Sequence, residues 1–282
     1  MIHLILLLIF VSSCSTGIKS NPRYSTDFHM HIYENISNED MEFDANRALL
    51  AADSIGIKRA LVLSRAYDLT DAKEARKINE FVITEARRNP GKLAAACGIN
   101  PKSDFAIDEI RFCRFQKVRV LKLHTIASGM DLKKDDDKKK LEEVLKEADK
   151  YDLTVLIHGN SPSKQRGDEA QELLKILTKF PDLRIIVAHL FGLEFDQLKL
   201  IKHPNLFIEI SIVPIFMKTS LEKEHLLTTM RFIGLRKFLF GSYWPVIHPA
   251  ETLKALNDLG LSEKEISLLI NDNPKRLNDL FE

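Results

Sequence analysis

Eight short apolar runs, separated by longer amphipathic stretches, recur between residue 25 and the C-terminus of this chain. Val, Ile and Leu dominate the runs, and such continuous runs are typical of parallel strands that are buried on both faces. The predicted strands are Ser25–Ile32, Arg59–Leu63, Lys92–Gly98, Val118–His124, Thr154–His158, Arg184–His189, Leu206–Ile212 and Lys237–Gly241. Strands that alternate with helices form a parallel sheet that the helices cover.

Helix-like stretches lie between these runs, and they include Met41–Ser54, Asp71–Arg88, Lys138–Lys150, Glu169–Phe180 and Leu221–Ile233. Eight such strand–helix units in about 250 residues fit a closed barrel better than an open sheet. No glycine-rich phosphate loop follows the first run, which disfavours the open nucleotide-binding sheets. We therefore predict an α/β fold with a single (β/α)8 TIM barrel over residues 25–282.

Composition excludes several classes of protein. The 41 basic residues balance 40 acidic ones for a net charge of +1, so no basic surface for nucleic acid is expected. Three cysteines are too few for a scaffold built from disulfides. We interpret Cys97, in the third strand, and Cys113, in a helix, as packing residues without a function. The oligomeric state stays open.

The N-terminus is predicted to be a signal peptide over residues 1–13. The unbroken apolar run from Leu4 to Val11 is about half of the roughly 20 residues that a membrane-spanning helix needs. Val11-Ser12-Ser13-Cys14 resembles the lipobox of bacterial lipoproteins, which implies lipid modification of Cys14. Residues 14–24 then form a tether, and the protein is anchored in the cell envelope. The alternative is an ordinary secretory signal in which Cys14 is incidental.

Histidines concentrate at the ends of the predicted strands. Five of the nine do so, namely His29, His31, His124, His158 and His189. Barrel enzymes keep their active sites at the carboxyl ends of the strands. Residues i and i+2 of a strand share a face, so His29 and His31 should point into the barrel with Asp27, while Phe28 and Met30 point outward. Two imidazoles on one strand form a chelate for a divalent metal ion, and we predict a metal centre there.

Six segments carry a wider resemblance: DFHMHI (Asp27–Ile32), VLKLH (Val120–His124), LIHGN (Leu156–Asn160), VAHL (Val187–Leu190), LFGSYWP (Leu239–Pro245) and NPKRLNDLF (Asn273–Phe281). With them the chain resembles the amidohydrolase superfamily, and within it the aminocarboxymuconate semialdehyde decarboxylase-like group. The resemblance implies a (β/α)8 barrel with one catalytic divalent metal, usually zinc, that activates water to cleave C–N, C–O or C–C bonds. It also implies that His29, His31 and His158 are metal ligands and that His189 is the general acid/base or orienting histidine.

The eighth strand departs from the family pattern. Family members carry an aspartate after Gly-Ser, where this chain has Tyr243. A phenol is a poor base, and it can bind metal only when ionised. Another group, with Glu209, Ser211 or His189 as candidates, can serve as the base. Alternatively three histidines hold the metal while Tyr243 contacts substrate, or the barrel is inactive.

Three further residues are candidates for substrate binding. Lys122 and His124 share a face of the fourth strand, and Lys122 offers a charge to an anionic substrate. A carboxylated Lys122 that bridges two metals, as in some relatives, is the alternative. Trp244 either lines the pocket or packs. The sequence thus predicts a metal-dependent hydrolase of small amides, esters or lactones; a decarboxylase or hydro-lyase, or an inactive surface binding barrel, are the alternatives.

Overall fold

The computed structural model describes residues 24–33, 44–158, 167–192 and 203–282. Its eight strands are all parallel and follow one another around a single sheet in chain order, so the predicted (β/α)8 barrel is confirmed. The strands are β1 (Thr26–His31), β2 (Arg59–Leu63), β3 (Leu93–Gly98), β4 (Val120–His124), β5 (Thr154–His158), β6 (Ile185–Val187), β7 (Leu206–Glu209) and β8 (Phe238–Leu239).

Helices separate most of these strands in the described part of the chain. They are α1 (Ala45–Asp53), α2 (Ala72–Arg88), α3 (Ala106–Phe115), α4 (Asp135–Lys150), α5 (Gly167–Leu177), α6 (Val213–Met217), α7 (Lys223–Ile233), α8 (Pro249–Leu259) and α9 (Glu263–Ser267). A π-helical turn, Leu268–Asp272, and a 3-10 segment, Asn273–Phe281, end the chain. Among the residues described here, no helix is long and apolar enough to cross a membrane.

The barrel closes through the segment that follows β8. Phe28 donates its backbone N–H to the carbonyl of Phe240 at 2.9 Å, and Tyr243 donates to the carbonyl of His29 at 2.9 Å. His31 donates in turn to the carbonyl of Trp244 at 2.7 Å. These bonds run this segment alongside β1, so Tyr243 lies beside the two β1 histidines.

Two apolar clusters flank the sheet. The outer one packs the strands against the helices. The inner one fills the barrel and consists of Phe28, Leu61, Leu63, Ala94, Ala96, Val120, Leu156, Ile186, Ala188, Phe207, Leu239, Leu277 and Leu280. Leu277 and Leu280 come from the C-terminal 3-10 segment and cover the amino-terminal end of the barrel. The polar interior positions are therefore at the carboxyl ends of the strands, as in other barrels of this kind.

A bulge interrupts β1 and corrects one expectation. Asp27 pairs with Ala60 and Met30 with Val62, so two residues of β1 face one residue of β2. Phe28 was expected to point outward, but it packs in the inner cluster. The extra residue breaks the strict alternation of faces, because a bulge shifts the phase of the strand. Met30 points outward as expected, into the outer cluster.

Strands β6 and β7 end earlier than the apolar runs predicted. His189, Leu190 and Phe191 have positive φ angles of 55°, 50° and 59°, and Ile212 has one of 62°. Such left-handed conformations are unfavourable for residues with a side chain and end a strand. The chain leaves the sheet at these points and turns across the carboxyl end of the barrel.

Cys97 and Cys113 were interpreted as packing residues only, and this interpretation was wrong. They form a disulfide with their Cα atoms 6.4 Å apart. Cys97 lies on β3 and Cys113 near the end of α3, and both are buried in the outer cluster. The sequence pattern missed the bond because it depends on how α3 packs back onto β3.

Candidate metal centre

The five histidines predicted at strand ends meet at the carboxyl end of the barrel. The ring centre of His29 lies 5.3 Å from that of His31 and 4.6 Å from that of His189. The ring of His158 lies 4.9 Å from that of His189 and stacks on that of His124 at 3.9 Å. The rings form one continuous cluster, contributed by β1, β4, β5 and the turn after β6.

Glu209, the last residue of β7, is completely buried beside this cluster. Its Oε2 atom lies 2.9 Å from Nδ1 of His29 and accepts a hydrogen bond from the Ser211 hydroxyl at 3.0 Å. The backbone N–H of Ser211 donates to Oε1 of Glu209. Burial raises the pKa of Glu209 to about 7, and its bonds to Ser211 oppose that shift.

His189 is held by the same segment. Its Nδ1 atom lies 2.8 Å from Oγ of Ser211 and 3.3 Å from the Ser211 carbonyl oxygen. Its backbone N–H donates to Oε2 of Glu209 at 3.4 Å. These three contacts hold the backbone and the ring of His189 against the end of β7 and the residues that follow it.

Burial keeps His29, His31, His124 and His189 neutral. It lowers the pKa of His31 to about 3 and that of His124 to about 2, and neighbouring cationic groups act in the same direction. The pKa values of His29 and His189 are lowered well below the ordinary value, first by burial. Neutral imidazole is the form that binds metal. The site therefore presents unprotonated imidazole nitrogen atoms at neutral pH.

Two of these nitrogen atoms are buried and unpartnered. Nε2 of His29 and Nδ1 of His31 have no hydrogen-bond partner among the residues that the structure describes. A buried polar atom left in this way costs about 1–3 kcal/mol unless something binds it. A divalent cation is a fitting occupant, since imidazole nitrogen is a preferred ligand of zinc and its neighbours in the periodic table.

A second set of candidate ligands includes an acid. Within the described residues, one ligand atom each from His29, His189 and Glu209 lie within 4.8 Å of one another. This group shares His29 with the predicted ligands and adds Glu209, which we considered only as a base. The sequence signal for it was slight: a single acidic residue in the apolar run Leu206–Ile212.

Lys122 lies on β4, completely buried inside the barrel. Its Nζ atom has no hydrogen-bond partner in the described part of the chain. Burial lowers its pKa to about 7, and the Glu209 carboxylate opposes this shift. Burial thus destabilises the protonated form of Lys122, and its positive charge lowers the pKa values of the neighbouring histidines.

Tyr243 lies across the cluster. Its ring centre is 5.2 Å from that of His29, 5.9 Å from that of His31 and 5.2 Å from that of His189. Its φ angle of 75° is unfavourable for a residue with a side chain, and such strain concentrates at functional sites. Burial raises the pKa of its phenol, so the side chain is neutral.

Trp244 accepts a hydrogen bond from the backbone N–H of His31 through its carbonyl oxygen. It packs against the outer cluster, and its ring centre is 5.7 Å from that of His248. Its role in substrate binding stays a prediction, as do those of Lys122 and His124. Cys14, the signal peptide and most of the tether lie outside the described residues.

The fold and the site together define a closed (β/α)8 barrel with a histidine-rich candidate metal centre at the carboxyl ends of its strands. The Amidohydrolase family matches residues 26–280. The chain belongs to this family. No curated protein matches the chain.

Solved structures share the fold at low sequence identity. A probable 2-pyrone-4,6-dicarboxylic acid hydrolase from Acinetobacter baumannii has 16% identity and a TM-score of 0.67, over 91% of this chain and 99% of that one. The 5-carboxyvanillate decarboxylase of Sphingomonas paucimobilis has 14% identity and a TM-score of 0.68, over 90% and 98%. A dihydroxybenzoic acid decarboxylase from Polaromonas, with bound manganese, has 14% identity and a TM-score of 0.68. The match covers 92% of this chain and 97% of that one.

Proposed function

We propose that this protein is a metal-dependent hydrolase that cleaves a C–N or C–O bond of a small amide, ester or lactone. The observation that carries the proposal is the pair of buried, unpartnered imidazole nitrogens on β1, Nε2 of His29 and Nδ1 of His31. Family membership supports a metal-centred reaction. Decarboxylation is the second candidate, since some solved structures with this fold are decarboxylases.

The ligands in this proposal are His29, His31 and His158, with zinc as the expected ion. A divalent ion bound there would supply a Lewis acid that polarises a carbonyl group and makes water more acidic. We assign Glu209 to a different role, because donors from Ser211 and His189 already occupy its oxygens.

The remaining side chains would handle protons and substrate. The Ser211 hydroxyl and carbonyl fix Nδ1 of His189, so its Nε2 atom can accept a proton from water and return it to the leaving group. The neutral phenol of Tyr243 can donate a hydrogen bond to substrate oxygen. The charge of protonated Lys122 would favour an anionic group on the substrate, and the neutral ring of His124 would offer it a hydrogen bond.

Turnover with and without metal tests the function. Chelator-treated protein and protein loaded with Zn²⁺ or Mn²⁺ are assayed on simple lactones, esters, amides and hydroxybenzoates. We expect hydrolysis to rise at least about 100-fold with metal, because metal catalysis supplies several kcal/mol. The double variant His29→Ala, His31→Ala controls for contaminating enzymes. Metal-dependent release of CO₂ without hydrolysis would favour decarboxylation instead.

Variants of Tyr243 distinguish an active enzyme from an inactive binding barrel. If the base lies elsewhere, Tyr243→Phe retains most activity and Tyr243→Asp gains little, which is our expectation. In a barrel inactivated by loss of its base, Tyr243→Asp would raise turnover roughly 10²- to 10⁴-fold. Initial rates of both metal-loaded variants on the same panel decide this. Absence of turnover in the native and Asp proteins, with metal bound, contradicts the enzyme proposal.

We also propose that the protein is exported and anchored in the cell envelope through lipid on Cys14. The lipobox-like segment supports this, and so does the buried disulfide Cys97–Cys113, since such bonds persist mainly in oxidising compartments. Partitioning between membrane and soluble fractions is compared for native protein and Cys14→Ser. We expect the variant to be released, because each buried methylene of an acyl chain contributes about 0.8 kcal/mol to anchoring. Equal release of both would contradict the anchor.

A further inference from the structure

The carboxylate of Glu209 is the centre of a hydrogen-bond network that reaches two histidines. Its Oε2 atom meets Nδ1 of His29 directly, at 2.9 Å. The same oxygen accepts from the Ser211 hydroxyl, whose Oγ atom lies 2.8 Å from Nδ1 of His189. One buried carboxylate therefore contacts the first imidazole directly and the second through a hydroxyl.

The chemistry of the partners determines the tautomer of His189. The Ser211 carbonyl oxygen, 3.3 Å from Nδ1, can only accept a hydrogen bond. This contact is a hydrogen bond only when Nδ1 of His189 carries the proton. Oγ of Ser211 then accepts a hydrogen bond from Nδ1 of His189 and donates one to Oε2 of Glu209.

The same logic applies to His29. The oxygens of Glu209 already accept from the Ser211 amide, the Ser211 hydroxyl and the His189 amide. Three donated hydrogen bonds stabilise the ionised form of Glu209. A carboxylate can only accept a hydrogen bond, so Nδ1 of His29 is the donor in this contact. Its Nε2 atom, buried without a partner in the described structure, is then left with a lone pair.

Gly241 provides the space for this carboxylate. A Cβ atom added there would lie 2.1 Å from Oε1 and 2.8 Å from Cδ of Glu209, and 2.9 Å from Cβ of His29. Any larger residue would push Glu209 away from His29. The segment after β8 has no acidic residue at position 243. Gly241, two residues earlier, leaves space for the side chain of Glu209 from β7.

We propose that Glu209 is a positioning residue: directly and through Ser211, it holds His29 and His189 with Nδ1 protonated and Nε2 free to bind a cation or take a proton. The negative charge of this site thus belongs to Glu209 on β7, which contacts His29 directly and His189 through Ser211. Outer partners of this kind typically change metal affinity 10- to 100-fold when removed. The role of these tautomers in metal binding rests on the proposed metal-dependent function. The tautomers themselves are present without metal or substrate.

Imidazole ¹⁵N NMR of the metal-free, full-length protein measures the tautomers. His29→Gln and His189→Gln each remove one signal and so assign the two rings. We expect both rings to be protonated at Nδ1 in the native protein. Ser211→Ala should alter only His189, whereas Glu209→Gln should alter His29 as well. A native protein with Nε2 protonated on either ring, or a Glu209→Gln protein with unchanged spectra, overturns the proposal.

Metal affinity supplies the second measurement. Zn²⁺ is titrated against a chelator, and Glu209→Gln should bind it about 10- to 100-fold more weakly while keeping the native Co²⁺ absorption spectrum. Gly241→Ala should mimic it by displacing the carboxylate. Exposed Glu224→Gln is the matched control and should match the native protein. A changed Co²⁺ spectrum in Glu209→Gln would identify Glu209 as a direct ligand and contradict the positioning role. If the native protein showed these tautomers and affinities but no turnover, the proposed function would be contradicted and the positioning role of Glu209 would stand.

Discussion

The double change His29→Ala, His31→Ala is expected to reduce the metal content from one divalent ion per chain to near zero. Both side chains are buried on β1, and each contributes an imidazole nitrogen without a partner in the described structure. A zinc site needs three or four protein ligands, so loss of two leaves too incomplete a shell to retain the ion. Elemental analysis of protein purified without chelator or added metal measures the effect directly.

The control for this experiment is His225→Ala, which removes an exposed histidine of α7. It should retain the full metal content. Circular dichroism checks that the double variant is folded, since the inner apolar cluster does not include either histidine. A double variant that is folded and retains one ion would place the metal elsewhere. A native protein that holds no ion and does not take up supplied zinc would contradict the metal-dependent function itself.

The barrel could be predicted from the sequence because each strand is a nearly continuous apolar run. Arg59–Leu63 and Thr154–His158 were predicted with the bounds that the structure has. Runs such as Arg184–His189 were predicted too long, since hydrophobicity continues where the backbone turns left-handed. The apolar pattern reports burial, and burial alone does not distinguish the last strand residues from a buried turn.

The histidine cluster could also be predicted, because parallel strands in a barrel present their carboxyl ends together. His29, His158 and His189 are far apart in sequence, yet their rings meet because the closed barrel brings the carboxyl ends of its strands together. The link from Glu209 to His29 could not be predicted. It depends on the bulge in β1 and on the missing side chain of Gly241, and both are properties of packing between β7, β8 and β1.

Loss of the disulfide is expected to lower the free energy of unfolding by about 3 kcal/mol, the usual value for a loop of this length. Cys97 and Cys113 are 16 residues apart and join β3 to α3 inside the outer cluster. A cross-link restricts the unfolded chain, and its removal increases the conformational entropy gained on unfolding. For a chain of this size the loss corresponds to a fall in Tm of about 5 °C.

Thermal unfolding of three forms separates the cross-link from the packing of the sulfur atoms. Each form carries Cys14→Ser, so that only Cys97 and Cys113 remain. Reduced protein keeps both sulfur atoms and should show the fall in Tm that belongs to the bond alone. Cys97→Ala with Cys113→Ala should fall further, because removing buried atoms leaves cavities. Thiol titration in denaturant should find no free thiols before reduction and two after it. Equal Tm values for oxidised and reduced protein would show that the bond does not stabilise β3 against α3, and two free thiols before reduction would remove this support for export.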